Sequence, residues 1–119
     1  MARLETHLEK AKVFQKGADE ATSPEMQVEA WFLGAYHLIE ACAARHRIHI
    51  QKHQRVPDEL KRNPAIFGGK TAPISEAFQY LDREARAKFV YGGSGTEADL
   101  RLTRVAFETI RSCCEEVLR

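Results

Sequence analysis

The sequence predicts an all-α protein, a single domain over residues 1–119 that folds as an antiparallel, up-and-down bundle of four to five helices. Apolar residues recur at helical spacing in four separate segments. No stretch alternates apolar and polar residues as a half-buried strand would. Between the second and third of these segments, residues 46–73 are polar and cannot form one long helix. We therefore expect one long loop there, with a short turn around 58–62, rich in helix breakers: Pro57, Pro64, Gly68, Gly69 and Pro73.

The first predicted helix covers about residues 2–20. Leu4, Leu8, Ala11 and Ala18 follow the helical period, and Phe14 lies at the edge of their stripe. Gly17 weakens the end of this helix.

The second predicted helix has the clearest start. Ser23 is a natural N-cap, Pro24 suits the first helical position, and Glu25 favours the positive end of the helix dipole. Seven apolar residues then fall within about 120° of arc, which predicts the central helix of the core. They are Val28, Trp31, Phe32, Ala35, Leu38, Ile39 and Cys42.

A weaker apolar line lies on the other side of the second helix, formed by Met26, Leu33 and Ala44. A helix with two apolar sides is buried on both. This line therefore predicts packing against another helix or against a partner subunit.

Two further helices complete the bundle. The third begins at about Pro73 and ends where "YGGSG" (91–95) stops the helical pattern. Thr96 is a plausible N-cap for the last helix, with Asp99 placed for a capping box. The inward residues of the third helix are Ile74, Phe78, Leu81, Ala85 and Phe89, and those of the last are Leu100, Phe107, Ile110, Cys114 and Leu118.

Composition limits the classes of function. The net charge of +1 gives no general electrostatic attraction to nucleic acid, although residues 45–62 carry six Lys/Arg against two acids. No apolar run is long enough to span a bilayer, and the first ten residues lack the apolar core of a signal peptide. Three cysteines without a disulfide pattern suit a reducing compartment, so we expect a cytoplasmic protein with small core cysteines.

Four of the five histidines lie in "YHLIEACAARHRIHIQKHQRV" (36–56), which allows several interpretations. His49 and His53 have a spacing that zinc enzymes use, and His37 with Glu40 reverses the order of a di-iron pair. Interleaved Arg and Lys oppose a cation, so we expect no metal or other cofactor. A structural interpretation also stays open, in which His37 and Glu40 form a polar pair on the second helix and hydrogen-bond each other or a neighbouring helix.

Two other interpretations involve phosphate. Arg47 and His53 match the Arg-x(4–6)-His spacing of a metal-independent ribonuclease, in which histidine moves a proton and arginine stabilises phosphorane charge. Alternatively, the basic residues of the segment contact phosphates without cleaving them. The residues concerned are Arg45, Arg47, Lys52, Arg55, Lys61 and Arg62.

Two stretches resemble the HEPN domain family (higher eukaryotes and prokaryotes nucleotide-binding). They are "AYHLIEACAA…IHIQKHQRV" and "ISEAFQYLDREARAKFVYGGSGTEADLRLTRVAFETI", within a similarity that covers about residues 26–118. The resemblance implies a bundle of four or five helices, a homodimer, and a bacterial or archaeal role. That role would be a toxin–antitoxin module with a nucleotidyltransferase partner, or a ribonuclease in defence.

The chain departs from the catalytic family members. Their Arg-x(4–6)-His motif belongs to the late helical segment, where this chain has Arg86 followed by Tyr91. Tyrosine is a poor proton shuttle at neutral pH. We therefore expect a protein that binds a nucleotide, RNA or a nucleotidyltransferase, with no membrane partner. An endoribonuclease using Arg47 and His53 across a dimer interface is the alternative.

A second surface is expected to accept phosphate or a base. Arginine binds phosphate through two parallel hydrogen bonds, and tyrosine stacks on bases. The residues are Arg83, Arg86, Tyr91 and Arg104; pairing of Arg83 and Arg86 with neighbouring acids is the alternative.

Overall fold

The computed structural model describes residues 2–119, with side chains from Arg3 onward. Within that part of the chain there is no strand, and the predicted all-α helical bundle is confirmed. The helices are α1 (Ala2–Glu20), α2 (Pro24–Arg45), α3 (Val56–Arg62), α4 (Thr71–Gln79) and α5 (Glu97–Leu118).

Helix α2 is the centre of the bundle, as its apolar stripe predicts. The Ser23 Oγ accepts the backbone N–H of Met26 at 3.2 Å, which is the expected N-cap. All seven residues of the stripe are buried. Helix α1 packs along α2, and both come close to α5 at Gly34, where a Cβ would lie 3.4 Å from Phe107 and 3.5 Å from Phe14.

The weaker apolar line of α2 is covered mostly by the chain itself. Ala44 is buried and Leu33 is partly buried against the core, whereas Met26 is 61% exposed. The line therefore does not by itself require a second subunit.

The segment between α2 and α4 is more ordered than the single loop expected from its prolines and glycines. It contains 3-10 turns at His53–Arg55 and Gly68–Lys70 in addition to α3. Pro57 fits because it lies in the first turn of α3, where its missing N–H has no intrahelical partner. Val56 and Leu60, four residues apart, are buried and attach this segment to the core.

Helix α4 begins two residues before Pro73 and continues as two π-helical turns, Tyr80–Ala85 and Ala87–Tyr91. Its five predicted inward residues are all buried. After the turn at residues 92–95, Thr96 and Asp99 form the expected capping box of α5. Of the predicted inward residues of α5, Phe107, Ile110 and Cys114 are buried, and Leu100 and Leu118 are partly buried.

None of the helices described between residues 2 and 119 combines the length and apolar character needed to cross a membrane. Cys42 and Cys114 are buried and Cys113 is partly buried, all as free thiols. This matches their expected place in the core.

Candidate functional site

Two polar clusters adjoin α2. The first, called here the His53 cluster, joins the segment after α2 to the π-helical turns and comprises His53, Asp82, Arg86, Glu29 and Tyr91. The second, called the Glu40 cluster, surrounds one buried carboxylate and comprises Glu40, His7, His37, His49 and Tyr36.

In the His53 cluster, Asp82 orients the imidazole. The His53 Nδ1 lies 3.2 Å from the Asp82 Oδ2, and the ring stands edge-on to Phe32 with centroids 5.1 Å apart. The His53 side chain is 31% exposed, so solvent reaches it. A carboxylate on Nδ1 fixes the tautomer and leaves Nε2 for a ligand or a proton.

The Arg86 guanidinium is held by two carboxylates and lies over an aromatic ring. Its Nε donates to the Glu29 Oε1 at 2.9 Å, and its Nη1 donates to the Asp82 Oδ1 at 3.2 Å. The guanidinium also lies 4.2 Å from the centroid of the Phe32 ring. Burial opposes the charge of Arg86, but the hydrogen bonds and charge of Glu29 outweigh it and raise the pKa of the guanidinium.

The π-helical turns place Tyr91 beside Arg86. Residues five apart face each other in this geometry, and the Arg86 Nη2 donates to the Tyr91 hydroxyl at 2.7 Å. Tyr91 is nevertheless 71% exposed, with its ring centroid 5.2 Å from the guanidinium. Because π-helical turns recur at functional sites, this part of the chain is a candidate on geometry as well as on sequence.

Five more of the predicted phosphate ligands divide into two groups. Lys52, Arg55 and Arg83 are exposed on the two segments that meet at the His53–Asp82 contact, and the Arg83 Nη1 donates to the Gln79 Oε1 at 3.2 Å. Arg45 and Arg104 are occupied elsewhere. Arg45 donates to the Val117 carbonyl, and Arg104 lies 5.9 Å from the centroid of the Trp31 ring.

Arg47 and His53 are not in contact in this chain. Arg47 has left-handed backbone (φ 61°) just after α2 and lines a shallow pocket with Arg3, Ala44 and Ile48. The contacts of His53 are with Asp82, Phe32 and Tyr36. A ribonuclease that uses both residues needs Arg47 from a second copy.

The Glu40 cluster lies where α1 and α2 meet the segment 48–50. The Glu40 Oε1 accepts the backbone N–H of Ile50 at 2.8 Å. The His7 Nε2 and the His49 Nδ1 each lie 3.7 Å from the Glu40 Oε2. On its other side, the His7 Nδ1 lies 2.9 Å from the His37 Nδ1.

Burial sets the protonation states of this cluster. Burial raises the pKa of Glu40 and outweighs the hydrogen bond from the Ile50 backbone, which acts in the opposite direction. Burial, assisted by the charge of His7, lowers the pKa of His37 to about 4. The pKa of His7 is also lowered, first by burial and then by the charge of His49. His7 and His37 are therefore uncharged at neutral pH and able to accept hydrogen bonds or bind a metal.

The structure rearranges the histidine sets considered from sequence. His37 and Glu40 do not bond each other; His7 lies between them and touches both. His49 and His53 diverge, because the chain between them is not helical, and their partners are Glu40 and Asp82 respectively. His7 was missed, and the one signal for it is its helical phase, near the apolar stripe at Leu4, Leu8 and Ala11.

Comparison of the chain with protein-family models, with curated proteins and with solved structures found no match in any of the three. The chemistry of the two clusters indicates what each could bind. An oriented, accessible imidazole beside exposed cations suits phosphate chemistry, and two imidazoles facing a carboxylate suit a metal ion.

Proposed function

We propose that this chain is a HEPN-like protein that binds RNA or a nucleotide through one surface. The surface is formed by residues 46–62 and 83–91. The observation that carries the proposal is the 3.2 Å contact between the His53 Nδ1 and the Asp82 Oδ2, which joins two basic segments that are distant in sequence.

The residues around that contact have the chemistry such a surface needs. Lys52, Arg55 and Arg83 offer exposed charges for phosphates, and the exposed Tyr91 ring offers a face for a base. Arg86 has a different role. Since Glu29 and Asp82 already engage its guanidinium, Arg86 positions Asp82 and Tyr91 instead of binding phosphate itself.

The resemblance to HEPN domains carries two further parts of the proposal: the chain forms a homodimer, and it acts with a nucleotidyltransferase partner as one half of a toxin–antitoxin pair. The cysteine content supports a third part, that the chain resides in the cytoplasm. Free thiols at Cys42, Cys113 and Cys114 are consistent with a reducing compartment. Sedimentation equilibrium of the purified chain tests the dimer directly.

Binding is tested by fluorescence anisotropy with a labelled single-stranded RNA pool in EDTA, and with labelled ATP. The triple variant Lys52→Glu/Arg55→Glu/Arg83→Glu is expected to weaken RNA binding at least about 10-fold. The slope of log K against log salt concentration should also become less steep by about 2, since each lost phosphate contact contributes about 0.7 to that slope on single strands.

Lys16→Glu is the matched control, because Lys16 is an exposed cation on α1. It is expected to bind as wild type does. Equal affinity of the triple variant and wild type, or no binding of either probe by folded wild type, would refute the proposed surface.

An endoribonuclease is the second candidate, and the orientation of His53 favours it. With Nδ1 held by Asp82, Nε2 is free to take a proton from a 2′-hydroxyl or to give one to the leaving oxygen. Asp82 would hold the required tautomer, as the aspartate of a catalytic triad does. The cation for the phosphorane charge would come from Arg55, from Arg83 or from Arg47 of a second copy.

Cleavage of the same RNA pool in EDTA tests this candidate. An active enzyme predicts that His53→Ala abolishes cleavage and that Asp82→Asn lowers the rate by about 100-fold or more. His46→Ala, an exposed histidine in the same segment, should leave the rate unchanged. No cleavage by folded wild type, or full activity in His53→Ala, excludes the ribonuclease and leaves the binding function to be judged by anisotropy.

A further inference from the structure

The Glu40 cluster brings together one nitrogen or oxygen donor from each of three segments. His7 comes from α1, Glu40 from α2 and His49 from the segment after α2, and their donor atoms all lie within 4.8 Å of one another. In a tetrahedral site with bonds of about 2.0–2.2 Å, neighbouring donors are about 3.4 Å apart. The two distances of 3.7 Å to the Glu40 Oε2 are close to that spacing.

These distances are too long for hydrogen bonds, so the three groups converge without satisfying one another. Glu40 is only 2% exposed, and among the described residues no Lys or Arg forms an ion pair with it. Its hydrogen bond from the Ile50 backbone involves Oε1, whereas Oε2 faces the two imidazoles and has a long contact of 3.4 Å from the Tyr36 hydroxyl. This buried carboxylate oxygen therefore faces two imidazoles, and no Lys or Arg of the described residues forms an ion pair with it.

The surrounding groups match the second shell of a metal site. An imidazole that binds a metal through one nitrogen usually donates its other N–H to a neighbouring group. The 2.9 Å separation of the His7 and His37 Nδ1 atoms allows His7 to donate to His37, which places the lone pair of His7 on Nε2, toward Glu40. The Tyr36 hydroxyl donates to the Ile50 carbonyl at 2.8 Å and fixes the segment that carries His49.

We propose that His7, Glu40 and His49 bind one divalent first-row transition-metal ion, of the Zn²⁺ or Fe²⁺ class, with His37 as the positioning residue for His7. Two imidazoles favour such an ion over Mg²⁺ or Ca²⁺, which prefer oxygen ligands. Three protein ligands leave at least one coordination position open, as in zinc enzymes with a His₂Glu set and in iron sites with two histidines and one carboxylate.

The open position would reach solvent. The His49 side chain is 38% exposed, whereas those of His7 and Glu40 are 13% and 2% exposed. A water or an anionic ligand can therefore approach the ion from the side of His49. The site shares no metal ligand with the His53 cluster, although Tyr36 contacts both, and it goes beyond the proposed RNA-binding function.

The test is titration of the chelator-stripped chain with Co²⁺, followed by its visible absorption, and with Zn²⁺, followed by calorimetry. Wild type is expected to bind one ion per chain. His49→Ala and His7→Ala are each expected to weaken binding by at least about 100-fold, and His37→Asn by about 10- to 100-fold. Anaerobic competition of Fe²⁺ against bound Co²⁺ distinguishes the two ions.

His46→Ala is the matched control, because it removes an exposed histidine of the same segment that lies outside the Glu40 cluster. It should bind like wild type. Since His49 is exposed, His49→Ala keeps the test valid even if His7→Ala does not fold. No ion bound by wild type, or undiminished stoichiometric binding by His49→Ala, would overturn the proposal.

Discussion

Arg86 holds several neighbouring side chains in position. Its side chain is only 13% exposed, and it pairs with Asp82 and Glu29 while covering the Phe32 ring. Removing a partly buried cation leaves its carboxylate partners unpaired, and this costs more than the pair itself contributes. The positions of Asp82, and through it of His53, therefore depend on Arg86.

We expect Arg86→Ala to lower the free energy of unfolding by about 2–3 kcal/mol, less than for a fully buried pair because the Glu29 side chain is 34% exposed. Urea unfolding at neutral pH measures the change. Arg83→Ala is the control: Arg83 is exposed with one side-chain hydrogen bond, so its loss should cost at most about 0.5 kcal/mol. Equal midpoints for the two variants would contradict the role given to Arg86.

Contacts between individual side chains were predictable from sequence only where the partner is near in the chain. Thr96 and Asp99 lie three residues apart, and their contact follows from local geometry. The pairs His7–Glu40 and Arg86–Glu29 depend on how whole helices pack. No spacing rule links residues of two different helices, so His7 and Glu29 could not be assigned in advance.

Among the elements, α5 has the best-defined start. The Thr96 N–H donates to the Asp99 Oδ2 at 3.0 Å, and Lys88 Nζ donates to the Asp99 Oδ1 at 3.0 Å. The hydrogen bond from the Thr96 backbone, followed by that from Lys88, lowers the pKa of Asp99 below its usual value. A carboxyl with a lowered pKa stabilises the fold when ionised, and that contribution disappears as the pH falls through its folded-state pKa.

We therefore expect Asp99→Asn to be less stable than wild type at neutral pH, and the difference to narrow as the pH is lowered from about 5 to about 3. Urea midpoints across this range measure it. Glu97→Gln, a change at an exposed acid in the same first turn, should show no comparable trend. If the difference in urea midpoint between wild type and Asp99→Asn stays constant down to about pH 3, the charge of Asp99 does not stabilise α5.

The helices form as predicted where the apolar periodicity and the capping residues indicate the same element. The stripe of α2 and the five inward residues from Ile74 to Phe89 are buried as expected. The π-helical turns at Tyr80–Ala85 and Ala87–Tyr91 were not foreseen, because buried residues spaced by three and four predict an ordinary α-helix. Likewise, α3 is too short for its period to stand out among prolines and glycines.

At the scale of the whole molecule, both polar clusters are organised around α2. On one part of this helix Glu29 belongs to the His53 cluster and Phe32 contacts it, whereas His37 and Glu40 belong to the other cluster. The segment after α2 then supplies one histidine to each. The sequence predicted the bundle and its central helix, but the division of one histidine-rich segment between two sites depends on the path of a non-helical chain.

The hairpin of α1 and α2 also bears on the order in which the chain gains structure. Only residues 21–23 separate these helices, so their contacts close a very short loop and cost little chain entropy. The ring centroids of Trp31 and Phe107 are 6.2 Å apart in the folded protein, but most of the chain lies between these residues in sequence. Contacts of this long-range kind form slowly. The hairpin, with His7 already facing Glu40, should therefore assemble before α5 closes the bundle.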